Sequence, residues 1–387
     1  MNDPSISIMK DPVTGSHPCS DRIEEVLVRK RHSLSRRDSE EFGIIEMRST
    51  DSNIRARAAL RLAARPKNEA IVEVLVDALH DSDRLVRESA ALALGHLKVE
   101  DAVPELLELW RNDVISNVRQ GAQLSLKLIG NEDAKKAIEI TDMIETAVDE
   151  LDFEVLERFV GKENVGNIGG LRHLLSGSDA NTRAAAAIGI GLVGNIDANT
   201  LESLVHATED KDRLCRQAAC TVLGYLNYDQ AISRLASVWK NDFISSVRRS
   251  AGRALDRIGG DSAKNAVMET TLLSRAINTL AGEGSGEISS STEAADDFIK
   301  GLTSHDRIVR EACCLVLGHL KTTLAAQQLI NIWSNDPISN VRRAAENALE
   351  KIGGDEAEKA IRLTNAITDE IEQLSRSQLY RAYSIQE

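Results

Sequence analysis

The stretch WRNDVISNVR at 110–119 returns as WKNDFISSVR at 239–248 and as WSNDPISNVR at 333–342. A catalytic motif is needed once, so a phrase that recurs with its flanks points to repeated architecture. Upstream of each copy lies a second shared run: DSDRLVRESAALALGHL at 81–97, DKDRLCRQAACTVLGYL at 210–226 and SHDRIVREACCLVLGHL at 304–320. Asp83 to Trp110, Asp212 to Trp239 and Asp306 to Trp333 each span 27 residues, so one structural unit is used three times.

Inside the unit the apolar residues fall three and four apart, as in Leu85/Val86, Ala90, Ala93/Leu94 and Leu97, the period of one helix face. The Asp before each run is placed to cap a helix, and Ser116, Ser245 and Ser339 read as caps of the helix that follows. Gly130, Gly259 and Gly353 stand where a helix ends on a left-handed residue. The unit is therefore helix, turn, helix, about 30 residues long, and too small to bury its own apolar face. The predicted fold is all-α, an α-solenoid of about eight stacked two-helix repeats with a concave and a convex face. In this frame the opening phrase is a turn. Trp110, Trp239 and Trp333 close a helix and pack between repeats, Asn-Asp makes the bend, Ile packs, Ser caps, and Val-Arg starts the next helix.

A second spacing supports stacking. Asp81 and Arg87 are six apart, as are Asp113 and Arg119, Asp210 and Arg216, Asp242 and Arg248, and Asp336 and Arg342. The Asp lies in a turn and the Arg in the first turn of the next helix. Stacked units would set each Arg beside Asp groups of its own and the neighbouring unit, a structural charge ladder along the stack.

This D-x5-R pair followed by A-x2-[AV]-L-G, in LVRESAALALGHL and IVREACCLVLGHL, resembles the short HEAT-like repeats first named for phycobilin lyase subunits. The resemblance spans roughly residues 46–370 and implies a HEAT-repeat solenoid. The expected organisation is an N-terminal arm at 1–45, the solenoid at 46–370 with irregular insertions near 141–165 and 274–295, and a C-terminal tail at 371–387. The basic run VRKRHSLSRR at 28–37 reads as a solvated arm, and AGEGSGEISSSTE at 281–293 as a flexible loop.

Composition narrows the function classes. The 387 residues carry a net charge of −13, which argues against nucleic-acid binding. Aromatics make up 3% of the chain, so the core is aliphatic and alanine-rich. Cys19, Cys215, Cys220, Cys313 and Cys314 form no CxxC pair, and four of them lie among Ala, Val and Leu as small core thiols. No apolar leader run is evident and Ala184–Gly194 is too short to span a bilayer, so a soluble cytoplasmic protein without membrane insertion is expected.

Candidate chemistry is sparse. GIGLVG at 189–194 matches a dinucleotide-binding pattern but falls late in a helical repeat, with no preceding strand. Deoxyhypusine hydroxylases, which are HEAT-like, bind two irons through His-Glu pairs. The matching positions here are Arg87-Glu88, Arg216-Gln217 and Arg310-Glu311, and the chain contains no His-Glu dipeptide. His96, Tyr225 and His319 share one position, which suits a polar helix end better than ligation. No catalytic residue, metal site or cofactor is predicted. Basic residues remain: Arg84, Arg213 and Arg307 follow the capping Asp of each unit, and Arg249, Arg253 and Arg257 form an i, i+4, i+8 stripe. These are the candidate partner-binding residues, a concave strip for an acidic segment of another protein. The resulting expectation is a non-enzymatic scaffold or adaptor. Proteins of this resemblance accompany taxis signalling in some archaea, which implies a narrower adaptor role. The enzymatic alternative is a bilin lyase or isomerase subunit that attaches a chromophore to a phycobiliprotein or presents it.

Overall fold

The computed structural model describes residues 38–151, 157–193, 196–267 and 292–383, and among these every regular element is helical. The basic run at 28–37, Cys19 and residues 281–291 of the Gly/Ser-rich stretch lie outside the described residues. Three blocks follow one another. Block one holds α1 (Asp38–Glu46), α2 (Ser52–Ala63), α3 (Glu69–Asp77), α4 (Arg84–His96), α5 (Val103–Asn112), α6 (Ser116–Ile129) and a trailing α7 (Glu132–Glu150). Block two holds α8 (Glu157–Val160), α9 (Ile168–Leu174), α10 (Ala180–Val193), α11 (Ala198–Ala207), α12 (Arg213–Tyr225), α13 (Ile232–Asn241) and α14 (Ser245–Ile258). Block three holds α15 (Thr292–Gly301), α16 (Arg307–His319), α17 (Ala326–Asn335), α18 (Ser339–Ile352) and a trailing α19 (Asp355–Tyr383).

The helices that carry the D-x5-R arginines stack directly on one another: α2 on α4 on α6, α10 on α12 on α14, and α16 on α18. The remaining helices form a second rank, completing an α-solenoid. The Leu-Gly pair of the repeat lets stacked backbones touch. A Cβ added at Gly224 would sit 2.5 Å from Ala254 Cα, and one at Gly318 would sit 2.6 Å from Ala348 Cα. Gly189–Val193 of the GIGLVG run lie in the same stack, within α10. Trp110 and Trp333 are buried and Trp239 packs its ring against Gly252.

Asp83, Asp212 and Asp306 cap α4, α12 and α16, accepting the N–H of Leu85, Leu214 and Ile308 at 2.8–2.9 Å. The serine caps expected for the following helices are corrected. Ser116, Ser245 and Ser339 are the first helical residues, and the cap positions are Ile115, Ile244 and Ile338. Asp113, Asp242 and Asp336 accept those Ile N–H groups at 2.7–2.8 Å, because their carboxylates are already aimed into the turn. Gly130, Gly259 and Gly353 end α6, α14 and α18 at φ of 60°, 64° and 63°.

The trailing helices change the expected organisation. α7 leaves Ala134 and Ile138 in the core of block one and delivers Ile144, Ala147 and Val148 to the core of block two. α19 leaves Ala357 and Ile361 in the core of block three and delivers Ile367, Ile371 and Leu374 to that of block one. Residues 371–383 are therefore helix rather than a separate tail: 367, 371 and 374 are one apolar stripe whose partner face lies in another block. Residues 38–45 are α1, packed on α2, rather than arm, and 141–150 belong to α7. Each ladder stack of blocks one and two is thus covered on a third side, by α19 and by α7.

Gly224→Ala is expected to destabilise the chain by about 1–3 kcal/mol through overpacking against Ala254, read as a lower urea midpoint at unchanged m-value.

Candidate functional site

Each ladder arginine uses its fork twice. Arg55, Arg87, Arg183, Arg216 and Arg310 donate from Nε to the carboxylates of Asp81, Asp113, Asp210, Asp242 and Asp336 at 2.7–2.8 Å. Their Nη1 groups donate to the backbone carbonyls six residues back, at Ser49, Asp81, Gly177, Asp210 and Ser304. The six-residue spacing is therefore a carbonyl contact, and the carboxylate serves the arginine of the preceding repeat. Arg310 works with Ser304 at that position for this reason, although no Asp marks it in the sequence.

The last ladder arginine of each block departs from the rule. Arg119, Arg248 and Arg342 donate Nη1 to the carbonyls of Asp113, Asp242 and Asp336, each at 2.6 Å, but among the described residues no carboxylate bonds them. Here the ladder expectation is corrected. In blocks one and three the chain runs into a trailing helix, α7 or α19, where a further Asp turn would follow.

The turns before these last ladder helices meet the N-terminus of the penultimate ladder helix of the next block, α12, α16 or α4. Asn112 accepts the N–H of Arg213 at 3.0 Å, Asn241 that of Arg307 at 3.4 Å, and Asn335 that of Arg84 at 3.2 Å. Block one caps block two, block two caps block three, and block three returns to cap block one. The three blocks close into a ring with pseudo-threefold order. The residue before each Asn adds a charge contact where it can: Arg111 pairs with Asp212 at 2.8 Å, both buried, and Lys240 pairs with Asp306. Ser334 occupies the third junction.

Closure brings together arginines that the sequence scatters. Arg84, Arg213 and Arg307 open the helices that receive the Asn caps, so they sit at the three junctions. Arg213 is buried and pairs with Glu145, and Arg307 donates Nε to the carbonyl of Lys240 at 2.6 Å. Burial, and then the guanidinium groups of Arg213 and, beyond it, Arg248 and Arg342, pull Arg119 down to about 10. Arg248 is lowered by burial and Arg307, and Arg342 by burial and Arg84. Recurrence picks out all six residues in the sequence; what it misses is the Asn, whose identity in all three copies was the available signal.

The stripe on α14 lies elsewhere. Arg249, Arg253 and Arg257 are exposed; Arg253 meets Asp149 of α7 at 3.2 Å, and Arg257 lies 5.3 Å over the Tyr225 ring. Cys215, Cys220, Cys313 and Cys314 are buried free thiols; burial raises all four, Cys220 and Cys314 to about 12. Among the described residues no group of three or more His, Cys, Asp or Glu is arranged to hold a metal, and no helix is long and apolar enough to cross a membrane.

The sequence profile for HEAT repeats matches residues 43–127, 168–256, 201–275, 265–350 and 295–383. The chain belongs to the HEAT-repeat family. Stacked HEAT repeats commonly present extended surfaces to other proteins. No curated protein matches this HEAT-repeat chain. Among solved structures it is similar to the complex of CpcE and CpcF of phycocyanin lyase from Nostoc sp. PCC7120, at 23% identity and TM-score 0.25, over 69% of this chain and 99% of that one. It is also similar to human deoxyhypusine hydroxylase, at 17% identity and TM-score 0.26, over 78% and 98% of the two chains. An engineered protein matches at 20% identity and TM-score 0.24, over 89% and 99%.

Glu88, beside Arg84, is pushed up from 4.5 to about 7, by burial first and then by Asp113 and Glu372, against the pull of Arg84. Between those two values the folded chain keeps a proton that the unfolded chain has released, so stability falls as pH rises through that window. Glu88→Gln is expected to flatten this dependence and to stabilise the chain by about 2–3 kcal/mol above the window, measured by urea unfolding at its two ends.

Proposed function

We propose that this HEAT-repeat chain is a non-enzymatic scaffold or adaptor that binds an acidic segment of another protein along the edge of block two. One observation carries the reading. Leu192, Tyr225 and Arg257 occupy the same repeat position on α10, α12 and α14, forming a row across the stack. Leu192 and Tyr225 are 42% and 41% exposed, and Arg257 lies over the tyrosine ring. From Arg257 the stripe of Arg253 and Arg249 leads back along α14 toward Phe243, itself 52% exposed. Exposed aromatics flanked by arginines have the composition of binding hot spots. In a chain of net charge −13, this basic stretch favours an acidic partner. The equivalent positions of block one are Ala64, His96 and Leu128, so the row belongs to block two and not to the repeat as such. The ladder faces of blocks one and two are covered by the chain's own α19 and α7, which favours this outer edge over the concave seat expected from the sequence.

Affinity purification with cross-linking and mass spectrometry tests the proposal. A stoichiometric protein partner is expected to cross-link to block two, and Tyr225→Ala with Arg257→Glu is expected to weaken its capture by about tenfold or more. A taxis component in that position would give the narrower taxis-adaptor reading. Steady turnover of a small molecule by the purified chain, or a visible chromophore band with no protein partner, would sink the scaffold reading.

A further inference from the structure

We infer that the pseudo-threefold centre of the ring is a binding site for a phosphate-class oxyanion, held by Arg119, Arg248 and Arg342. Three features of the geometry point to it. First, each of these arginines is fixed by a 2.6 Å bond from one Nη1 to a backbone carbonyl, which leaves the rest of its fork without a carboxylate among the described residues. Everywhere else the described ladder fills that position with an Asp. Asp113, Asp242 and Asp336 act on them through space but form no ion pair with them, because their carboxylates are held by Arg87, Arg216 and Arg310.

Second, ring closure crowds these arginines together with the three junction arginines. The Asn112–Arg213, Asn241–Arg307 and Asn335–Arg84 contacts set the turn that leads into the last ladder helix of each block against the first residue of the next block's penultimate ladder helix. Arg119 feels both Arg248 and Arg342, and each of the three feels the junction arginine ahead of it. Arg213 is 6% exposed and its Nε, like that of Arg84, is buried with no hydrogen-bond partner. Carboxylates do approach the outer members: Glu145 pairs with Arg213, while Glu88 and Glu346 lie near Arg84 and Glu311 lies near Arg307. None of them is among the groups that act on Arg119, Arg248 or Arg342.

Third, the three arginines are half-buried, so the centre is reachable but partly desolvated, where a charge-assisted bond is strong. Three planar forks related by approximate threefold order suit a tetrahedral oxyanion, which offers three oxygens around one axis. A monovalent halide has neither the charge nor the geometry to use all three. Asp113, Asp242 and Asp336 offset these charges only in part, since each is already paired with another ladder arginine, and an oxyanion of charge two or more offsets the remainder.

The test is isothermal titration and thermal unfolding of the full chain with inorganic phosphate, pyrophosphate and O-phosphoserine, each against chloride at matched ionic strength. One saturable site with a raised Tm is expected. Tightest binding by phosphate or pyrophosphate assigns the site to a free oxyanion, and tightest binding by O-phosphoserine assigns it to an esterified phosphate. Arg119→Gln, Arg248→Gln and Arg342→Gln are each expected to weaken binding about tenfold, and Lys67→Gln, exposed between α2 and α3, to leave it unchanged. Without phosphate the triple glutamine variant is expected to melt higher than the parent, since it removes mutual repulsion; this keeps the test informative and separates a charge site from a purely structural one. Absence of saturable binding by all three probes overturns the proposal, as does binding undiminished in the triple variant.

Discussion

The ladder arginine is the constraint on which the rest depends. One guanidinium reads two things at once: the carbonyl at the start of its own helix and the carboxylate of the next turn. A lysine has no fork with which to do both. Because these pairs are nearly buried, breaking one by removing a single partner costs about 3–5 kcal/mol, where a surface pair would cost almost nothing. The rung therefore sets the spacing of successive helices, and the Leu-Gly contact lets them close to that spacing. The Asp of each rung also takes the N–H two residues on in its own turn, that of an Ile for Asp113, Asp242 and Asp336 and that of Asp83 and Asp212 for Asp81 and Asp210, so the same carboxylate fixes the turn and the stack.

The ladders are short, and what they do at their ends gives the molecule its form. An ordinary solenoid presents two open ends that must be capped by atypical repeats. Here an asparagine near the end of each ladder caps the penultimate ladder helix of the next block, and the trailing helices of blocks one and three each complete a core that is not their own. The closing contact spans 251 residues of sequence, from Arg84 to Asn335. The cost is a set of arginines with no rung to grip, gathered where the three blocks meet.

Much of this was legible in the sequence. The apolar period gave the helices, the Trp and Asp spacing gave the unit, and three copies made the solenoid plain. The six-residue Asp–Arg pair marked the ladder, but a spacing reports proximity and not which atom is used. Reading it as a carboxylate contact hid Arg310, whose turn begins at Ser304, and included Arg119, Arg248 and Arg342, whose acceptors are only carbonyls. Ring closure was not legible, because nothing local distinguishes an asparagine that bends a turn from one that also caps a helix a hundred residues away. The stripe of Ile367, Ile371 and Leu374 is a helix signal whose partner lies at the other end of the chain. For the candidate site, recurrence singled out Arg84, Arg213 and Arg307, while their grouping followed from topology alone.

The reach of α19 into block one has a consequence for how the chain is made. During synthesis, α1 to α6 are available long before Ile367 and Ile371 exist, so the first block to emerge waits with part of its apolar face open. Contacts of such long sequence separation form late and slowly, and an exposed apolar surface in the meantime invites wrong partners. Block one is thus translated before blocks two and three yet finished after them, and its maturation is a check that α19 has been delivered.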